Sequence, residues 1–216
     1  MITAEEVGGH EAGHAVAASV LEGARPVESA SVVPDAADDS RGHVMIWVRR
    51  SAERVSWESH LAEAIGCRVG EIAGARSVGR KQPDEMQGPD WVDYYNEISL
   101  ARRSTPPAPL PILGRVEKLS AAFATIAWPT IEDVARQLSW RRVLTGDEVR
   151  SIVARRWPQK ITVQHLDMMM RSGEAQAVAF CQFAVAAAVT KQVCLAELDN
   201  ELRRRARAEH YARERA

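Results

Sequence analysis

The chain opens with Thr3-Ala4-Glu5-Glu6-Val7-Gly8-Gly9-His10-Glu11-Ala12-Gly13-His14. Thr3 and Glu6 occupy the positions of a capping box, in which a hydroxyl and a carboxylate satisfy free backbone donors at a helix start. Apolar residues recur at helical spacing beyond this stretch, and Gly23 favours the end of the helix at that point. We therefore expect a helix over residues 3–22 that carries two histidines four residues apart.

The pattern His10-Glu11-Ala12-Gly13-His14 is an HExxH motif inside this predicted helix. Its spacing places His10 and His14 on one face, a turn apart, where two imidazoles can bind one zinc ion. Glu11 lies about 100° around the helix and can contact a water molecule instead of the metal. The arrangement suits hydrolysis, because zinc makes water acidic and polarises a carbonyl group while Glu11 accepts the proton. The alternative is a helix with two histidines on a polar face and no metal.

A catalytic zinc ion usually has a third protein ligand and an open position for water. Five residues are candidates by type and position: Asp93, Glu71, His43, His60 and Asp90. Asp93 opens a helical stretch, and Glu71 lies on an apolar helix where a lone carboxylate would be costly to bury. His43 begins a predicted strand and is also a candidate for substrate binding, whereas His60 lies in a charged turn and is expected to be solvated. Spacing alone does not decide whether Asp93 or Glu71 is the third ligand.

The remainder of the sequence predicts a mainly α protein with one small β-hairpin. Two short β-branched stretches, 27–33 and 43–48, flank a turn-forming segment. Helices are predicted over 51–75, 89–103, 114–127, 129–142, 145–156 and 162–171, and a long alanine-rich helix over 173–213. We expect a domain over 1–156 and a helical C-terminal extension over 157–216.

Composition indicates an ordinary globular chain, with 216 residues of which 46% are hydrophobic and 26% charged. The net charge of −1 conceals a division: residues 1–100 carry 17 acidic and 9 basic side chains (−8), and residues 101–216 carry 12 and 19 (+7). The longest apolar run, 177–189, is shorter than the ~20 residues that span a bilayer, and the N-terminus lacks a signal-peptide pattern. We therefore expect a cytoplasmic protein without a membrane partner. Glutamates alternate with the C-terminal arginines, so nucleic-acid binding is not expected either.

Several motifs resemble the peptidase domain of FtsH-type ATP-dependent zinc metalloproteases. The HExxH helix and the two residues after it, Ala15-Val16, resemble that family's zinc-binding helix, and Gly66-Cys67-Arg68-Val69-Gly70-Glu71 resembles its AGRxAE segment. Asp93, followed by Ala101-Arg102, resembles the helix that supplies the third zinc ligand. The resemblance covers roughly residues 3–153 and is weak in the hairpin and after Ser104.

The resemblance implies an FtsH-peptidase-like helical metalloprotease fold with added C-terminal helices. It implies Zn²⁺ held by His10, His14 and Asp93, with Glu11 as general base and Glu71 as a residue that orients a histidine. Asp90 stays an alternative ligand, because the loop before Asp93 is one residue longer than the family pattern. The sequence contains no GxxxxGK[ST] phosphate loop, so the ATPase motor of the family is absent from it.

The expected function is that of a zinc-dependent endopeptidase acting on extended or unfolded polypeptides. A separate unfoldase or a homo-oligomer is the expected partner besides the polypeptide substrate. One alternative is a non-catalytic zinc-containing binding or regulatory module derived from the same fold, and another is a zinc hydrolase of non-peptide amides. Glu11 favours an enzyme, because a purely structural zinc site needs no base beside its ligands.

Overall fold

The computed structural model describes residues 3–34, 41–47, 55–80, 89–109 and 112–171. Its helices are α1 (Ala4–Val20), α2 (Trp57–Ser77), α3 (Pro89–Arg103), α4 (Ile112–Ile126), α5 (Trp128–Arg141), α6 (Gly146–Ala154) and α7 (Val163–Arg171), and its strands are β1 (Val27–Ser31), β2 (His43–Ile46) and β3 (Val143–Thr145). The predicted class, mainly α with a small sheet, is therefore confirmed. Within the described ranges, none of the helices combines the length and apolar character needed to cross a membrane.

Helix α1 lies at the centre of the described structure and packs on α2, α5, α6 and the sheet. The Thr3 hydroxyl accepts a hydrogen bond from the backbone N–H of Glu6 at 3.2 Å, which caps the helix start. The second hydrogen bond of the predicted capping box is not among those described, and the Glu6 carboxylate pairs with Arg80. The helix that follows is rich in alanine and glycine, and most of its faces are buried. Small side chains allow its neighbours to approach closely on several sides.

Glycines make the contact between α1 and α2 unusually close. A Cβ atom added at Gly9 would lie 2.9 Å from the Ala73 carbonyl oxygen, and one added at Gly13 would lie 2.8 Å from that of Val69. A glycine inside a helix costs about 1 kcal/mol relative to alanine. Here the close backbone approach, which no larger residue would allow, offsets that cost.

The sheet is antiparallel throughout and has the order β2-β1-β3. Ala30 at its centre pairs with Val44 of β2 and with Leu144 of β3. The predicted hairpin of β1 and β2 is confirmed, but β3 was not predicted. Three residues between two helical stretches form no alternating pattern, and β3 pairs with β1 more than a hundred positions earlier in the chain.

The predicted helix boundaries differ in accuracy. Helix α3 coincides with the prediction, and Thr145 and Glu148 form the predicted capping box before α6. Helix α2 starts at Trp57 instead of residue 51, because Ser56 accepts a hydrogen bond from the Ser59 N–H and ends the extended backbone there. The long helix predicted over 173–213 lies outside the described residues.

Residues 157–171 pack on the helices that precede them. Trp157 is buried, stacks on Phe123 with 6.1 Å between ring centroids, and donates its indole N–H to the Thr130 hydroxyl at 3.2 Å. Ile161 forms a bridge with Leu21, and α7 packs against α4 and α2. The start of the predicted extension is thus continuous with the packed body, and its remainder lies outside the described residues.

Candidate metal centre

Helix α1 presents His10 and His14 to the same point in space. Their rings meet edge to face with centroids 4.5 Å apart, and their Nε2 atoms are 2.9 Å apart. This geometry follows from the four-residue spacing, which stacks two side chains on one helix face. The structure therefore brings together the two histidines of the HExxH motif as the sequence predicts.

Asp90, in the first turn of α3, supplies the third polar atom of this group. Its Oδ2 atom lies 2.9 Å from Nε2 of His10 and 3.1 Å from Nε2 of His14. Atoms bound at about 2.0–2.1 Å to a tetrahedral zinc ion lie about 3.3 Å from one another. The two imidazole nitrogens and the carboxylate oxygen fit such an ion after a small outward movement.

The backbone of α2 fixes the orientation of His14. The Nδ1–H of His14 donates to the carbonyl oxygen of Gly66 at 3.0 Å, which leaves the lone pair of Nε2 directed at the group. A Cβ atom at Gly70 would overlap the His14 ring, so only glycine allows the ring to lie against the helix at this position. A carbonyl hydrogen bond of this kind is a common means of presenting a histidine to a metal.

The electrostatics of the group favour a bound cation. Burial lowers the pKa of His14, but the charge and hydrogen bond of Asp90 outweigh burial and raise it to about 9. Burial also acts to raise the pKa of Asp90, but the two histidines hold it well below its ordinary value. The carboxylate is ionised at neutral pH and attracts a positive charge, which either a proton or a metal ion can supply.

Glu11 lies beside the group and is 6% exposed. Burial raises the pKa of its carboxyl group, and the neighbouring histidines partly offset the effect. Gly42, just before β2, packs on its side chain, because a Cβ atom there would lie 2.9 Å from Glu11 Cγ. The strand β2 therefore begins next to this carboxylate.

No protein-family model and no curated protein matches the chain.

The structure places Asp90, and not Asp93, against the two histidines. Asp93 is exposed one turn further along α3, where its charge acts on Arg25 and Cys67. Asp93 as third ligand stays a prediction, and among the described residues Asp90 is the carboxylate that meets both histidines. Asp90 lies on the same helical stripe as Tyr94, Ile98 and Ala101, and those three are buried.

The other candidates occupy different surroundings. Glu71 is half-buried on α2, and burial raises its pKa against the opposing charge of His10. Among the described residues no hydrogen bond joins it to either histidine. His43 is half-buried at the start of β2, outside the group. The expectation of a solvated His60 is wrong, because His60 is buried and its Nδ1 lies 2.6 Å from a Glu97 carboxylate oxygen.

Proposed function

We propose that the protein is a zinc-dependent endopeptidase of the kind found in FtsH-type peptidase domains. The observation that carries the proposal is the convergence of His10 Nε2, His14 Nε2 and Asp90 Oδ2 within 3.1 Å of one another, beside a buried glutamate. In this proposal His10, His14 and Asp90 hold the metal, and Glu11 is the general base. The ligand side chains are partly exposed, between 15% and 27%, which leaves an approach for substrate.

A zinc ion bound by such residues polarises a carbonyl group and makes a water molecule acidic enough to ionise near neutral pH. Glu11 accepts the proton of that water molecule and then donates it to the leaving amine. Burial acts to raise the pKa of Glu11, which makes its carboxylate a better proton acceptor than an exposed one. His14 keeps its orientation throughout through the Gly66 carbonyl group.

The proposed substrate is an extended polypeptide. Within the described sheet β2 pairs only with β1, so its other edge can pair with an added strand. Because Gly42 packs on Glu11, a strand added to β2 would pass close to the general base. A folded substrate cannot adopt this conformation, so a separate unfoldase would be required for folded proteins.

A comparison of three proteins tests the proposal: the wild type, Glu11→Gln, and Glu5→Gln as a matched control on the exposed part of α1. Each is loaded with one equivalent of zinc and incubated with casein, which is unstructured. The wild type and Glu5→Gln should produce peptides, and Glu11→Gln should keep its zinc but lose about 10²–10⁴-fold in rate.

Two results would contradict the proposal. A wild type that holds zinc but cuts no polypeptide favours the non-catalytic zinc-containing module. Equal cleavage by the wild type and Glu11→Gln excludes Glu11 as the base.

A further inference from the structure

Helix α3 must be held firmly if Asp90 is to reach the two histidines. Asp90 lies in the first turn of that helix, and the apolar residues that bury α3 lie further along, at Tyr94, Ile98 and Ala101. Tyr94 is one turn further along, about 6 Å along the helix axis. Because both residues belong to one helix, a contact that holds Tyr94 in place also restricts the position of Asp90.

Glu117 of α4 makes such a contact and joins three helices. Its Oε1 atom accepts a hydrogen bond from the Tyr94 hydroxyl at 2.7 Å, and its Oε2 atom accepts one from Arg68 Nε at 2.9 Å. Tyr94 and Arg68 are each 2% exposed, so both bonds lie away from water at their donor ends. The Glu117 side chain is 41% exposed, so water reaches the acceptor side of the bridge. Hydrogen bonds to a carboxylate are stronger than neutral ones, and the buried donors keep this bridge between the three helices in place.

We propose that Glu117 is a positioning residue for the metal site: it fixes α3 through Tyr94 and α2 through Arg68, and so sets the place of the Asp90 carboxylate. The inference rests on the proposed metal centre. Glu117 touches none of the proposed ligands, and its effect passes through the backbone of α3. Residues that orient metal ligands in this indirect way typically change metal affinity by about 10–100-fold when removed.

The two hydrogen bonds of Glu117 differ in what their loss would do. Removing the Glu117 charge takes one described carboxylate away from the buried guanidinium of Arg68, which destabilises the fold as well. Removing only the Tyr94 hydroxyl leaves the pair of Arg68 and Glu117 intact. Tyr94→Phe is therefore the decisive variant, and Glu117→Gln is the stronger but less selective one.

Asp133 provides a matched control. Its carboxylate accepts hydrogen bonds from Arg136 and Arg156 at 3.2 and 3.0 Å, so it also joins α5 to a later segment of the chain. Among the described residues no hydrogen bond or ion pair joins it to α3. Asp133→Asn therefore removes a carboxylate that joins two segments of the chain but leaves the hydrogen bond between Tyr94 and Glu117 in place.

The experiment measures Co²⁺ and Zn²⁺ affinity of the metal-free full-length proteins, together with the visible absorption of bound Co²⁺. Tyr94→Phe and Glu117→Gln should weaken binding of both ions by about 10-fold or more and alter the Co²⁺ spectrum. Asp133→Asn should leave both affinity and spectrum as in the wild type, whatever its effect on stability.

The outcomes separate the two proposals. If Tyr94→Phe is folded and binds Co²⁺ with wild-type affinity and spectrum, the positioning role is wrong and the metal centre stands. If the wild type itself binds neither ion, the metal centre is wrong and the positioning role falls with it. If Glu117→Gln does not fold, Tyr94→Phe decides the question.

Discussion

The third ligand of the proposed metal centre depends on where two aspartates lie around one helix. Asp90 and Asp93 are three residues apart, so they project from neighbouring stripes of α3. The stripe of Asp90 continues into the buried Tyr94, whereas Asp93 is exposed. Sequence spacing accepts either residue, and only the packing of α3 on α2 distinguishes them.

Substitution of the two aspartates tests this assignment. Loss of a residue that only orients a metal ligand typically lowers metal affinity by about 10–100-fold. Asp90→Asn should lower zinc affinity by more than this, because a direct ligand is lost. Asp93→Asn should retain zinc, since its carboxylate is directed away from the histidines. Zinc content after dialysis against a chelator of fixed free-zinc concentration measures both. A greater loss in Asp93→Asn would return the third ligand to Asp93.

Among the helices, the proposed metal centre depends on how closely α1 and α2 approach. Gly13 allows α1 to contact the backbone of α2, and Gly70 and Gly74 receive the side chains of His14 and His10. The helix that carries the histidines thus lies directly against the helix that orients them. Glycine, which destabilises each helix by itself, thus allows the two helices to pack closely.

Gly70→Ala should damage both stability and the metal centre. The added methyl group would overlap the His14 ring, and overpacking of this kind costs about 1–3 kcal/mol. Zinc affinity should fall with it, because His14 must move. Gly114→Ala is the control: a Cβ atom there meets nothing within 4 Å, so the change should stabilise α4 by about 0.5–1 kcal/mol.

Urea unfolding and zinc titration of the two variants provide the measurement. Unchanged zinc affinity in Gly70→Ala would show that the close contact between α1 and α2 does not set the position of His14.

Local signals predicted most elements, and long-range contacts account for those missed. The capping residues Thr3 and Thr145 give the starts of α1 and α6, since a cap acts within one turn. Strand β3 depends on pairing with β1 far away in the chain, so its own three residues carry no signal. The histidines of the site followed from a local spacing, whereas Asp90 and Glu117 required knowledge of which helices pack together.

At the scale of the whole molecule, the proposed metal centre lies entirely in the acidic part of the sequence. All its ligands and its base lie within residues 1–100, which carry the charge of −8 (17 acidic, 9 basic). Later described helices pack around this part, with α5 against α1 and α4 against α2. The second half of the chain thus contributes packing and, through Glu117, a hydrogen-bond connection to α3.

Two shortened chains test how much of this packing residues 157–171 provide. A chain ending at Arg156 lacks the buried Trp157 and α7. Removal of a buried tryptophan side chain costs about 3–5 kcal/mol, so this chain should be less stable than one ending at Arg171 by at least that amount. Thermal and urea unfolding of the two chains side by side measure the difference. Equal stability would show that the domain ends at residue 156, as the sequence predicts.

The ligands of the proposed centre come from two helices that are far apart in the chain. His14 and Asp90 are 76 positions apart, so an ion bound by both is a reversible cross-link across a long loop. Such an ion binds the folded state and not the unfolded one, and at 100 times its Kd it adds about 2.7 kcal/mol to the free energy of unfolding. Backbone amides of α3 should consequently exchange hydrogen more slowly as free zinc rises, so the opening of a single helix would report the zinc concentration around the protein.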